Sequence, residues 1–388
     1  MSTSHRTVPD VVIAPNCLRG YACAADVAIA LARGVRQVWP DLQPVSLPLA
    51  DGGDGTLDVL QGARGGTRHA VEVADLFGRP RKTEWLALDQ RAAVVETAAI
   101  CGLGALRPDE LRPLRATSAG VGQTIAAAVA AGATTVLLGL GGTAVVDGGA
   151  GALAALGARF LDCDGREAVP TPERLPEIAT VDLSTARRLL SGVTLELLAD
   201  VRTPLAGNLD SFGAQKGVTA DNRPAAVRAL RHLARLLAEA GVPRAQERFR
   251  AHWFGAGGGI GFGLSAVAAT RAGSGAKAVL AAGDPGETVA TARLALTAEG
   301  AVDSGTWEGK LPGAVVALRE ERGLPTAVIA LRFTGPSPGP LATSHLIAGP
   351  APVGPVTGAA LLLGLKAAAA EACRIWSTRP PQRGSVTS

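Results

Sequence analysis

Between residues 10 and 61 the apolar positions change period repeatedly. VVIAP (11–15) is an unbroken apolar run closed by proline, the pattern of a short buried strand. Ala24, Val27, Leu31, Val35 and Val38 then recur at helical spacing, predicting a helix over Ala24–Trp39. PVSLPL (44–49) predicts the next strand and TLDVLQ (56–61) opens the next helix, a β-α-β-α start. Beyond it the period falls to two. HAVEVAD, KTEWLAL and AAVVETA alternate, with LFGRP as the turn joining the first pair. This small meander breaks the βαβ wind and marks where a second domain would be inserted.

The rest of the chain returns to alternating strands and helices. Ser118 is placed to cap a helix that runs through Ile125 and Val129 to Gly132, a C-terminal glycine. TTVLLGL (134–140) predicts a strand that empties into GGTAVVDGGAGALAALG. VTLELLAD (193–200), RLALTAEG (293–300), TAVIAL (326–331) and HLIAG (345–349) predict four more. Helices are expected over 223–241, Ala314–Arg322 and Thr357–Trp376. The predicted class is α/β: two α/β domains, one with a mostly parallel sheet and discontinuous in sequence (1–66 plus 283–376), the other inserted (67–282). The tail from Ser377 is expected to be disordered.

Composition narrows the function. At roughly 150 residues per domain, 388 residues suit two domains. Hydrophobic residues make up 47% and mean hydropathy is +0.23, but aromatics only 3%, so the core must be Ala, Val and Leu. The net charge of +4 comes with no dense basic cluster and few aromatics for stacking, which disfavours nucleic acid. Five scattered cysteines without a CxxC pair fit a reducing cytoplasm rather than a disulfide framework or zinc site. No signal segment or membrane span is evident; the Ala-rich run Ala359–Ala370 is short and contains Lys366. The five histidines are dispersed, and no GxSxG elbow supports a Ser-His-Asp hydrolase.

Chemistry gathers at the predicted strand ends. ADGGDGT (50–56), GGTAVVDGG (141–149), ADVRTPLAG (199–207) and AEGAVDSGT (298–306) each join glycine to an acid. Ligands of open α/β sheets bind outside the carboxyl ends of the strands. One such end is most often a turn; four favour a shared site. Glycines let backbone N–H groups approach phosphate oxygens, and a following helix adds its positive end. The run GAGGGIGFGLSA (255–266) has GxGxxG-like spacings without a Rossmann opening, so a tightly packed loop is an equal reading. Only five lysines stand against abundant arginine. Lys216 in FGAQKG and Lys310 in WEGK lie in glycine-rich segments, where a compact ammonium suits a transferring phosphoryl group. Asp200 is the preferred base or metal acid, with Asp51, Glu96, Glu299 and Asp303 as alternatives.

In this order, VVIAPNCLRG, PLADGGDGT, VVETAAICGL, LGLGGTAVVDGGAGALAALGARFLD, ADVRTPLAG followed by FGAQKG, GAGGGIGFGL, and AEGAVDS followed by GK resemble the bacterial glycerate kinase family over roughly 11–370. The resemblance implies a discontinuous Rossmann-like domain, an inserted α/β domain, a site in the cleft between them, and use of ATP and Mg²⁺ to phosphorylate D-glycerate. By that resemblance Asp200 positions the hydroxyl or holds Mg²⁺, and Lys216 neutralises the transferring phosphoryl. Arg19, Asp51, Glu96 and Arg202 touch the acceptor; Gly141, Gly142, Thr143, Asp147, Gly148, Glu299, Asp303 and Lys310 hold the nucleotide. The expected partners are a small hydroxylated substrate and a nucleotide, with neither nucleic acid nor membrane, and with room for a homodimer.

The departures from the family pattern cluster at strand ends. Asp-Ser-Phe-Lys-Gly-Ser-Leu is replaced by Asn16-Cys17-Leu18-Arg19-Gly20-Tyr21-Ala22. Val145-Val146 and Arg202-Thr203 each replace Thr-Asn, and Leu331-Arg332 replaces Ala-Gly. Two alternatives therefore stand beside a D-glycerate kinase: a kinase of another polyol, sugar-like or cyclitol acceptor, and a catalytically inactive binding protein.

Overall fold

The computed structural model describes residues 10–18, 20–199, 201–282, 284–334, 344–349 and 358–377. In chain order its strands are β1 (Val11–Ile13), β2 (Val45–Ser46), β3 (Thr67–Ala74), β4 (Pro80–Ala87), β5 (Ala92–Glu96), β6 (Thr135–Gly139) and β7 (Arg159–Leu161). They continue as β8 (Thr180–Asp182), β9 (Thr194–Ala199), β10 (Ala269–Ser274), β11 (Leu294–Val302), β12 (Thr326–Phe333) and β13 (His345–Ala348). The contacts divide the chain into two compact units. One holds the described residues of Met1–Leu49, Asp284–Trp307 and Leu311–Ser388; the other holds those of Ala50–Gly283 and Glu308–Lys310.

The first unit is a parallel sheet in the order β13-β12-β11-β1-β2. The side-chain period of two divides each strand between faces. Ala327, Ile329 and Leu331 of β12 join Val11, Ile13, Leu294 and Leu296 in one core, while Val328 and Ala330 meet Val302 and Val316 on the other. The helices Ala24–Val38 and Gly358–Ser377 cover the first core. They approach closely because Gly34 has no side chain: a Cβ there would lie 2.2 Å from the Lys366 carbonyl. The strand expected over 44–49 is assigned only over Val45–Ser46: Leu47 N and Leu49 N still donate to the Ile13 (2.8 Å) and Pro15 (3.0 Å) carbonyls, but Pro15 on the facing segment has no N–H to return. Ser377, expected to open the tail, belongs to the last helix, its hydroxyl donating to the Cys373 carbonyl at 2.8 Å; 378–388 lie outside the described residues.

The second unit is a mixed six-stranded sheet, β10-β9-β6-β5-β4-β3, with a separate β7-β8 ribbon. The strands β10, β9, β6 and β5 run parallel, and the expected meander forms the antiparallel flank β5-β4-β3. Its apolar core takes in Val95, Leu138, Leu197, Phe160 and Phe262. The helix after Ser118 spans Ala119–Ala130, with Gly132 beyond its end at φ +104°. Ser118 does not cap that helix with its side chain. Its hydroxyl instead donates to Asp147 Oδ2 (2.7 Å) and accepts from Ala152 N (3.0 Å), tying two helix starts together. All five cysteines are free. Among the described residues no helix is long and apolar enough to cross a membrane.

Candidate active site

In the second unit the carboxyl ends of β5, β6, β9 and β10 lie on one side of the sheet, because these strands are parallel. The segment Asp51–Gly55 lies across them. Gly141 N donates to the Gly52 carbonyl at 2.9 Å. Gly52 sits at φ +95°, and a Cβ on it would meet the Leu198 carbonyl at 2.3 Å. A Cβ on Gly275 would meet the Asp51 carbonyl at 2.1 Å. Only glycine lets these three backbones cross so closely. Asp51 is buried in that crossing.

Glu96 closes β5 and is also buried. Its Oε1 accepts from Gly55 N (3.1 Å) and its Oε2 from Leu57 N (2.9 Å). These amides open the helix Thr56–Arg64, whose first-turn N–H groups have no partner within the helix. Glu96 therefore supplies the anion that this helix start favours. Burial is the largest influence on its carboxyl and raises it above the ordinary carboxylate range, against the pull of the two amides.

The loop after β6 is built the same way. Asp147 is fully buried and accepts from Ser118 N (2.7 Å), Ser118 Oγ (2.7 Å), Gly149 N (3.1 Å) and Gly151 N (3.2 Å). Burial raises this carboxyl too. Lys216 is only 4% exposed and is not a surface lysine. Its ammonium donates to Val145 O (3.0 Å) and Thr143 Oγ1 (3.3 Å), beneath the loop. The run 255–263 is a packing partner of this loop. A Cβ on Gly258 would lie 1.9 Å from the Val145 carbonyl, and one on Gly263 would lie 2.6 Å from that of Gly148. The amides of Gly141, Gly148 and Gly149 are thus engaged within the protein, and the loop is a rigid frame that holds Thr143 and Lys216 together.

Asp200, the preferred base, and Arg19 lie outside the described residues. Arg202 is exposed on the segment leaving β9. That segment is tied to the run at 252–256: His252 Nδ1 donates to Arg202 O (3.2 Å) and Gly255 N to Thr203 O (2.9 Å). Asn208 Nδ2 donates to Gly255 O at 2.7 Å. Lys310 is half-buried on the short segment Glu308–Lys310, where Ser274 Oγ donates to Gly309 O at 2.9 Å. Sequence reading had not singled out Trp253, Asn208 or Ser274. A serine before a glycine at a helix start was the available signal for Ser274.

In the first unit, β1 and β11 are neighbours from which the connections run to opposite sides of the sheet, a topological switch point. Their ends carry Asn16, Cys17, Glu299 and Asp303. Asn16 is buried and its Oδ1 accepts from Cys17 N at 2.9 Å. Glu299 Oε1 accepts from Gly300 N at 3.2 Å. Asp303 and Thr306 lock a turn: Thr306 N donates to Asp303 Oδ1 and Asp303 N to Thr306 Oγ1, both at 3.0 Å. Among the described residues no group of three or more His, Cys, Asp or Glu is placed to hold a metal ion.

In the second unit, one buried ammonium, that of Lys216, lies beneath an ordered loop at parallel strand ends, an arrangement suited to neutralising an anion. Residues 11–339 match a family model described as the glycerate kinase family. The chain is similar to the glycerate kinase of Bacillus subtilis, 36% identical with 82% of this chain and 84% of that protein covered. It is 33% identical to the glycerate 2-kinase of Escherichia coli, covering 84% and 85%. A crystal structure of a candidate glycerate kinase 2 from Salmonella typhimurium LT2 superposes with a TM-score of 0.74 at 30% identity, covering 96% of this chain and 99% of that one.

Proposed function

The chain belongs to the glycerate kinase family, and on that premise we propose that it transfers a phosphoryl group from ATP to a hydroxyl of a small hydroxy acid, D-glycerate by kinship. The observation that carries this reading is the buried Lys216 ammonium, fixed beneath the loop after β6 at the carboxyl ends of parallel strands. Phosphoryl transfer asks the protein mainly for positioning and charge neutralisation, and a fixed ammonium supplies both. Asp200 positions the acceptor hydroxyl or holds Mg²⁺. Nucleotide-bound Mg²⁺ needs only one or two protein carboxylates, so the lack of a three-acid group among the described residues is compatible with it. Arg19, Asp51 and Arg202 are assigned to the acceptor by the family resemblance, and Glu96 acts by holding the segment that follows Asp51. Thr143, Glu299, Asp303 and Lys310 serve the nucleotide, while Asp147 and Gly148 frame the loop.

A second reading, a kinase of another polyol or cyclitol, is favoured by Asn16 and Cys17 at the end of β1, where the family pattern has Asp-Ser. ATP consumption with Mg²⁺ against glycerate, other hydroxy acids, sugars and cyclitols decides between them. Turnover is expected, and Lys216→Met should lower kcat by about 100-fold or more while the fold survives. No turnover with any acceptor and no thermal shift with ATP would leave an inactive binding protein.

A further inference from the structure

Among the described residues only Arg244 and Trp253 are non-glycines at positive φ, +56° and +75°. Arg244 is an exposed turn residue; for a bulky Trp this backbone is an outlier. Such strain persists only where the surroundings over-determine it, and it gathers at functional sites. Here the surroundings can be named. On one side of Trp253, His252 is bonded to the Arg202 carbonyl; on the other, Gly255 N is bonded to the Thr203 carbonyl. The Trp253 carbonyl itself accepts from Ala256 N at 3.2 Å. The strained residue is thus fastened to the segment leaving β9, next in sequence to Asp200.

The Trp253 ring is half-buried against the core of this unit and faces Gly309. A Cβ at Gly309 would lie 3.4 Å from Cη2 and 3.5 Å from Cζ3 of the ring. Gly309 is held a second time, by the Ser274 hydroxyl on its carbonyl. The next residue is Lys310. We propose that Trp253 is a positioning residue for Lys310: tied to the β9 exit, it sets its ring against Gly309 and fixes the Lys310 ammonium to meet the polyphosphate of the nucleotide. This rests on the nucleotide-binding reading above. Sequence offered no sign of it, because an aromatic in a loop has no period.

Steady-state kinetics with ATP varied at saturating acceptor test the proposal. Trp253→Ala should raise the KM for ATP about tenfold, leaving kcat and the acceptor KM within about twofold. Trp253→Phe should recover most of the loss. Ser274→Ala, acting on the same glycine, should raise the same KM, and the double variant should be no worse than the poorer single one. If Trp253→Ala does not fold, the Phe and Ser274 variants carry the test. An unchanged KM for ATP overturns the proposal. So does a parallel fall in kcat, in acceptor binding and in thermal midpoint, the mark of a merely structural role. Wild-type protein with no ATP turnover and no thermal shift with ATP overturns the kinase reading first, and the proposal with it.

Discussion

Glu96 and Asp147 are buried carboxylates that hold backbone in place. Each sits at a helix start and takes up amides that the helix cannot satisfy. Glu96 carries a consequence for pH. Burial lifts its carboxyl above the ordinary 4.5, the Leu57 and Gly55 amides draw it back, and Asp54 and Asp58 add to the rise. The folded chain then holds this proton more tightly than the unfolded one. The group's contribution to stability is complete below the unfolded value and is lost as pH rises through the raised one. Glu96→Gln removes the ionisation and turns an amide –NH₂ toward one of the two backbone donors, a fixed loss of about 1 kcal/mol. Denaturant titrations across pH should show the wild-type advantage over Glu96→Gln greatest in acid and narrowing toward neutrality. An advantage that widens toward neutrality would contradict the assignment.

The elements divide by how local their causes are. The 223–241 pattern becomes the helix Arg223–Glu239 because one apolar stripe settles it, and β12 and the meander strands declare themselves by their periods. The strand β10, ATRAGS, was missed: it has neither alternation nor an apolar run, and pairing with β9 makes it a strand. Ser118 was misjudged because a capping residue in sequence is bonded to Asp147 in space. The glycine runs are a third kind. At 255–263 the sequence left a phosphate loop and a packed loop equally open, and the reason for glycine is the neighbouring backbone. Gly258→Ala combines a left-handed φ of +68° with a clash on the Val145 carbonyl, the same oxygen that receives Lys216. It should cost about 2–4 kcal/mol and lower kcat together with stability, checked by unfolding midpoints beside turnover. Gly55→Ala has open space around its Cβ and meets only the strain of φ +86°, so it should cost about 1 kcal/mol.

At the scale of the molecule, the two-sheet architecture was legible because the apolar period falls to two at the meander, which breaks the alternating strand-and-helix pattern on either side of it. The identity of the acceptor was not, because it depends on a few side chains where this chain leaves the family pattern. Asn16 is the most telling of them. It is buried at the end of β1, beside β11 at the switch point of the parallel sheet, and its Oδ1 already accepts from Cys17 N. An aspartate there would keep that bond and add a second, charged acceptor for a ligand hydroxyl; a serine at 17 would add a hydroxyl in place of a thiol. Sites that gain hydrogen-bonding partners discriminate far more sharply than sites that change shape alone. The paired substitution Asn16→Asp with Cys17→Ser should therefore raise kcat/KM for D-glycerate about tenfold, with the KM for ATP unchanged within about twofold. Acceptor and nucleotide kinetics on one preparation read both quantities. A rise confined to glycerate marks residues 16 and 17 as the seat of acceptor choice. Equal changes for glycerate and ATP would show that they act on the fold of the first unit instead.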